Sequence, residues 1–194
     1  MGEPGNTLDE ATESEDKRVA LIIAILALFL ALAESGAKNA EHLSTEKNIE
    51  ASDLFNFYQA KKLRSTLTET ASQSLEALSL SVTDEKAHAA IEKQLDAWKA
   101  TIANFEKDVK HPEDSLDRIQ DRAKEAGEAR EHANHRLEHF EYASGALQIA
   151  IVLASAAIIT GMGVLAWIAG ALGLVGAVLM AFGYFAPTVL SFLG

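Results

Sequence analysis

The chain has 194 residues, 48% of them hydrophobic, with 17 Lys and Arg against 28 Asp and Glu, six His and no Cys. The missing Cys excludes disulfides, thiolate metal sites and a Cys nucleophile. A net charge of −11 without a basic run excludes a polyanion-binding surface, so nucleic acid is not an expected partner.

Residues 1–18 carry six acids ahead of Lys17 and Arg18 and have little apolar surface to bury, which predicts a disordered acidic tail. Residues 19–37 open on VALIIAILALFLALA, uncharged from Val19 to Ala33. That run becomes a full transmembrane helix when Arg18 and Glu34 sit at the two interfaces. Lys17-Arg18 before the run and Ala31-Leu32-Ala33 within it also fit a secretory signal, but the long acidic leader favours a retained anchor.

Residues 38–141 contain Gly127 and Pro112 and almost no alternating β-branched runs, which predicts an extramembrane helical bundle. Its first helix, from about Thr45 to Leu80, can continue directly out of the span through Ser35-Gly36, and offers Ile49, Leu54, Tyr58, Leu63, Leu67, Ala71, Leu75 and Leu78 as an inner face. The second follows the N-cap residues Thr83-Asp84 and places Ala87, Ile91, Leu95, Trp98, Ile102, Phe105 and Val109 at alternating spacings of four and three, a heptad seam ending at His111-Pro112. The third opens at Glu113-Asp114-Ser115, acids suited to the positive end of the helix dipole. Its heptad positions a and d are Leu116, Ile119, Ala123, Ala126, Arg130, Ala133, Leu137 and Phe140, mostly small where the second helix is bulky. Nothing breaks the helix at residue 141, so one helix of about 45 residues, roughly 65–70 Å at 1.5 Å per residue, should pass from the bundle into the bilayer.

No Asp, Glu, Lys, Arg or His occurs from Tyr142 to Gly194, a run more than twice what one crossing needs. Gly161-Met162-Gly163 is its turn signal, which predicts a hairpin of transmembrane helices at 142–160 and 164–186. Gly170, Gly173 and Gly176 in the second arm are the expected helix-packing glycines. Pro187 ends that arm and leaves 187–194 as an interfacial tail. The expected fold is therefore an all-α membrane protein with three transmembrane helices and a coiled-coil-like helical bundle, the third bundle helix being continuous with the second span.

Candidate sites are few. Asn134, Glu141, Gln148 and Ser155 recur every seven residues and form a polar line down the third helix into the membrane. Gln148 has no polar side chain to meet in the first span, so its carboxamide is expected to bond the same residue of a neighbouring subunit, its own helix, or water in a pore lined with Glu141 and Ser155. His132, His135 and His139 stand at helical spacings that could present imidazoles to a metal or sense pH. Their heptad positions, c and f, instead favour a solvated polar face. There is no phosphate loop, nucleophile elbow or zincin motif, so no catalytic residue, cofactor or enzymatic activity is expected. The anticipated partners are the lipid bilayer, further copies of the chain and an unidentified membrane or envelope protein.

The blocks ASDLFNFYQAKKLR, Ala51 to Arg64, and LQIAIVLASAAIIT, Leu147 to Thr160, resemble a bacterial membrane-protein family known as domain of unknown function 4337. Ala51, Ser52, Asp53, Tyr58, Gln59, Ala60 and Lys61 match its first motif, and Leu147 to Ser155 its second. Phe55 stands where the family usually has Trp, and Gly161-Met162-Gly163 replaces a turn commonly rich in Arg. The resemblance implies a three-span bacterial envelope protein, and no activity. In the first block, packing is one reading. An exposed partner-binding patch of Phe55, Tyr58, Gln59 and Lys61 is the other. For orientation, Lys17-Arg18 against the first span and Glu34, Glu138 and Glu141 on the other side favour a cytoplasmic N-terminus and an extracytoplasmic bundle. Lys38, Lys47, Lys124, Arg130 and Arg136 favour the reverse, but they lie in a domain longer than the loops to which the positive-inside rule applies.

Overall fold

A computed structural model describes residues 4–108 and 110–186, with side chains from residue 17 onward; among these the protein is all-α. Helices α1 (Pro4–Ser79), α2 (Glu85–Glu106), α3 (Leu116–Thr160) and α4 (Gly163–Phe185) follow in order, with a 3-10 turn at Pro112–Asp114. α1, α3 and α4 are long and apolar enough to cross a membrane. The expected tail at 187–194 and the seam position Val109 lie outside the described residues.

Two expectations about the long helices hold. α3 runs unbroken for 45 residues, so the third bundle helix and the second span are one element. α1 likewise passes through Ser35-Gly36 without a break. It also begins at Pro4, so the segment expected to be a disordered tail carries helical backbone. Once a helix is nucleated each added residue costs little, and a proline tolerates the first turn, where its missing N–H has no partner to lose.

The chain divides into two compact units. One comprises the residues up to 45 and from 130, the other residues 46–129. Residues 38–45 and 130–141 group with the first of these units. The reason is packing within that unit: Ser44 Oγ donates to Asn134 Oδ1 at 2.5 Å, and Gly36 lies against the Phe140 ring.

The core of this first unit joins Leu26, Ala33, Ala143, Leu147 and Ala150, with Phe29, Leu30, Ile151, Leu172, Leu179 and Met180 around them. Lipid tails are as apolar as these side chains, so the hydrophobic effect does little between the helices and close approach does more. Glycine and alanine permit it. A Cβ on Gly173 would run into the Leu26 side chain, and one on Gly176 would come within 2.7 Å of Leu147 and 3.1 Å of the Ala143 carbonyl oxygen. Gly170 breaks the expected pattern, since it is exposed and a Cβ there meets nothing within 4 Å. α3 and α4 are joined through Gly161, whose φ of +66° is a left-handed conformation that glycine adopts without strain.

In the second unit, Asp84 caps α2 by accepting the Ala87 N–H at 2.8 Å. α2 buries or half-buries Ile91, Leu95, Trp98, Ile102 and Phe105, the expected seam without Ala87, which is exposed. It ends at Glu106, five residues before the expected stop, because the Asp108 carboxylate takes the N–H groups of Lys110 and His111 at 3.1 and 2.9 Å and turns the chain. The register of α3 is as expected, with Leu116, Ile119 and Ala126 buried and Arg130 the one exposed member of the eight.

α1 covers only half of the face its apolar residues suggest, keeping Leu54, Tyr58, Ala71 and Leu75. Leu63 and Leu67 are each 60% exposed, and Ile49 and Leu78 are also exposed. The covered line is Ala51, Leu54, Tyr58, Lys61, Ser65, Thr68, Ser72 and Leu75, again alternating three and four. Small hydroxyl residues suit a close helix contact, and Lys61 has fixed partners there. Its ammonium donates to the Asp114 carbonyl oxygen and stands 3.7 Å from the Asp108 carboxylate.

Candidate functional site

The polar line of α3 is the feature with the clearest chemistry, and the fold divides it. Asn134 is half-buried and bonded to Ser44, so it serves packing within the chain. Ser155 Oγ donates to the Ile151 carbonyl oxygen at 2.8 Å, a bond within its own helix. Glu141 and Gln148 face outward. Gln148 Nε2 donates to Ser144 Oγ at a long 3.3 Å, one helical turn away.

Exposed aromatic residues stand near both ends of α4. Trp167 is 84% exposed near the start of α4, while Tyr184 and Phe185 are exposed near its end, the positions aromatic side chains favour at the two bilayer interfaces. The rise along α4 from Trp167 to Tyr184 is about 26 Å, close to a hydrocarbon thickness of about 30 Å. Gly176 is midway along that stretch and packs on Leu147. The residue after Leu147 is Gln148, so its carboxamide lies on an outward face level with the middle of that stretch.

The three histidines are not brought together. His132 is exposed, His135 is half-buried with Nδ1 3.7 Å from Glu138, and His139 is fully buried. No grouping of three His, Asp or Glu with metal-ligand geometry occurs among the described residues. The expected solvated face therefore fails at His139. A heptad register counts one neighbour, whereas α3 here also packs on α4, placing the His139 ring 6.3 Å from Phe182 and its Cβ against Gly183. Phe140 beside it stacks edge-on against Tyr184 at 5.0 Å.

The patch read from Phe55, Tyr58, Gln59 and Lys61 also divides. Phe55 and Gln59 are exposed, Tyr58 is half-buried, and Lys61 is buried at the turn between α2 and α3. That turn lowers the Asp108 pKa from the ordinary carboxylate range, first through the His111 N–H and then through the Lys110 N–H and the Lys61 ammonium. Sequence reasoning missed this cluster. Its one signal was a lysine in heptad phase with Leu54 and Tyr58.

Comparison with curated proteins and with solved structures returned no match. A family model described as a domain of unknown function, DUF4337, matches residues 15–186, and the chain belongs to that family.

Proposed function

We propose that the protein is a non-enzymatic, homo-oligomeric scaffold or accessory protein of the bacterial cytoplasmic (inner) membrane, its extramembrane helices docking a further protein of the envelope. Gln148 carries this reading. A carboxamide with one weak intrahelical bond on an outward face at mid-depth gains most from a partner outside its own chain. The mass of the full chain in native nanodiscs is expected to be that of a multimer. An interhelical bond of this type contributes about 0.6–2 kcal/mol, so Gln148→Leu should weaken association about 3- to 30-fold. A monomer whose mass ignores the substitution would refute the proposal.

An ion channel is the second reading, favoured by Glu141 sharing the outward face with Gln148. It requires cation flux in liposomes that falls with Glu141→Gln, and no flux at any potential retires it. The orientation we propose has the N-terminus cytoplasmic and residues 46–129 outside. The natural chain has no Cys, so Lys86→Cys and Gly161→Cys can be labelled without background. An impermeant thiol reagent added to intact cells should label the first and not the second, and the opposite pattern reverses the orientation.

A further inference from the structure

The helical glycines fall into two classes. Gly36, Gly173, Gly176 and Gly183 each have another side chain where their Cβ would be, so each serves contact within the chain. Gly127, Gly145, Gly163 and Gly170 have nothing within 4 Å of that position, and of these Gly145 in α3 is the one beside Gln148. A glycine in the middle of a helix weakens it relative to alanine, and nothing inside the chain requires this one. It lies three residues from Gln148 on the same side of α3.

That side has a repeat. Glu141, Gly145, Gln148, Val152, Ser155 and Ile159 alternate four and three, and Glu141, Gln148, Val152 and Ile159 are all exposed. We infer that two copies of the chain meet along this face of α3 as a parallel pair, with Gly145 at the closest approach and the two Gln148 carboxamides bonded to each other. The inference rests on the oligomer reading above and names its contact surface. An amide carries both a donor and an acceptor and is its own complement. A second copy in the same bilayer has the same orientation, and so presents Gln148 at the same depth. An acyl chain can neither donate nor accept, and it has no use for a missing Cβ. Spacing of four and three keeps the face in register along a left-handed crossing, and Glu141 ends it at the water surface.

The test is oxidative cross-linking of single-Cys variants of the full chain in native membranes. Val152→Cys and Ile159→Cys should link copies, whereas Leu174→Cys on α4 and Leu28→Cys on α1, both exposed, should not. Gly145→Leu meets nothing at its Cβ within the protomer, so it should not lower the thermal unfolding midpoint of the protomer while weakening association at least tenfold. Linkage through Leu174 or Leu28 and not through α3 would overturn the inference and leave the oligomer intact. No linkage together with a monomeric mass would remove both.

Discussion

Gly176→Leu is expected to destabilise the protein by about 1–3 kcal/mol, read as a lowered midpoint of thermal unfolding in detergent. Its Cβ would meet the Leu147 side chain at 2.7 Å and the Ala143 carbonyl oxygen at 3.1 Å. A side chain can rotate away, but the carbonyl belongs to a helix backbone and cannot. α3 and α4 would have to separate, which exposes the buried Ala143, Leu147 and Ala150. Gly170→Leu is the matched control. With open space at its Cβ it should cost nothing in packing and gain up to about 1 kcal/mol in helix propensity. Equal melting shifts for the two variants would mean that α4 does not pack as described.

Lys61→Met should have the other large effect. It removes a buried ammonium that holds the α2–α3 turn at two points and leaves the Asp114 carbonyl and the Asp108 carboxylate without it. Hydrogen bonds to charged groups contribute about 1.5–3 kcal/mol, and a loss of that size is expected, with proteolytic nicking between residues 107 and 115 as a local readout. The same turn sets a pH dependence. The folded pKa of Asp108 lies below its unfolded value, so its contribution is fully present above the ordinary carboxylate range. It is lost as pH falls through that range toward the lowered value. Asp108→Asn should therefore be less stable than the parent at neutral pH and show a shallower loss below about pH 4. Parallel stability curves for the two proteins would count against the turn as a charge-held joint.

What was legible in the sequence was whatever depends on contrast or on one partner. Leu116, Ile119, Ala126, Ala133 and Phe140 announce their register because α3 alternates small apolar and charged residues over many turns, and all five are buried. Gly173 and Gly176 were legible as packing residues because a glycine in a membrane helix has few other uses. Gly170 was not separable from them, since its face is decided by how α1 and α3 sit on α4. The covered face of α1 was only half legible for a related reason. Counting apolar residues selects Leu63 and Leu67, but Lys61, Ser65 and Ser72 are covered because the Asp108–Asp114 turn receives the ammonium and small side chains let the helices close. His139 fails the same way, through a second neighbour that no single-helix register contains.

The turn between α3 and α4 has a bearing on how the protein is made. Gly161 and Met162 are all that separate the two helices, and neither carries charge. A connection that short cannot leave one helix in the bilayer while the other waits in water. It also gives the insertion machinery no basic residue to retain. α3 and α4 should therefore enter the membrane as a preassembled pair, with the direction of α4 dictated by α3 and thus by the charged residues at the other end of that helix.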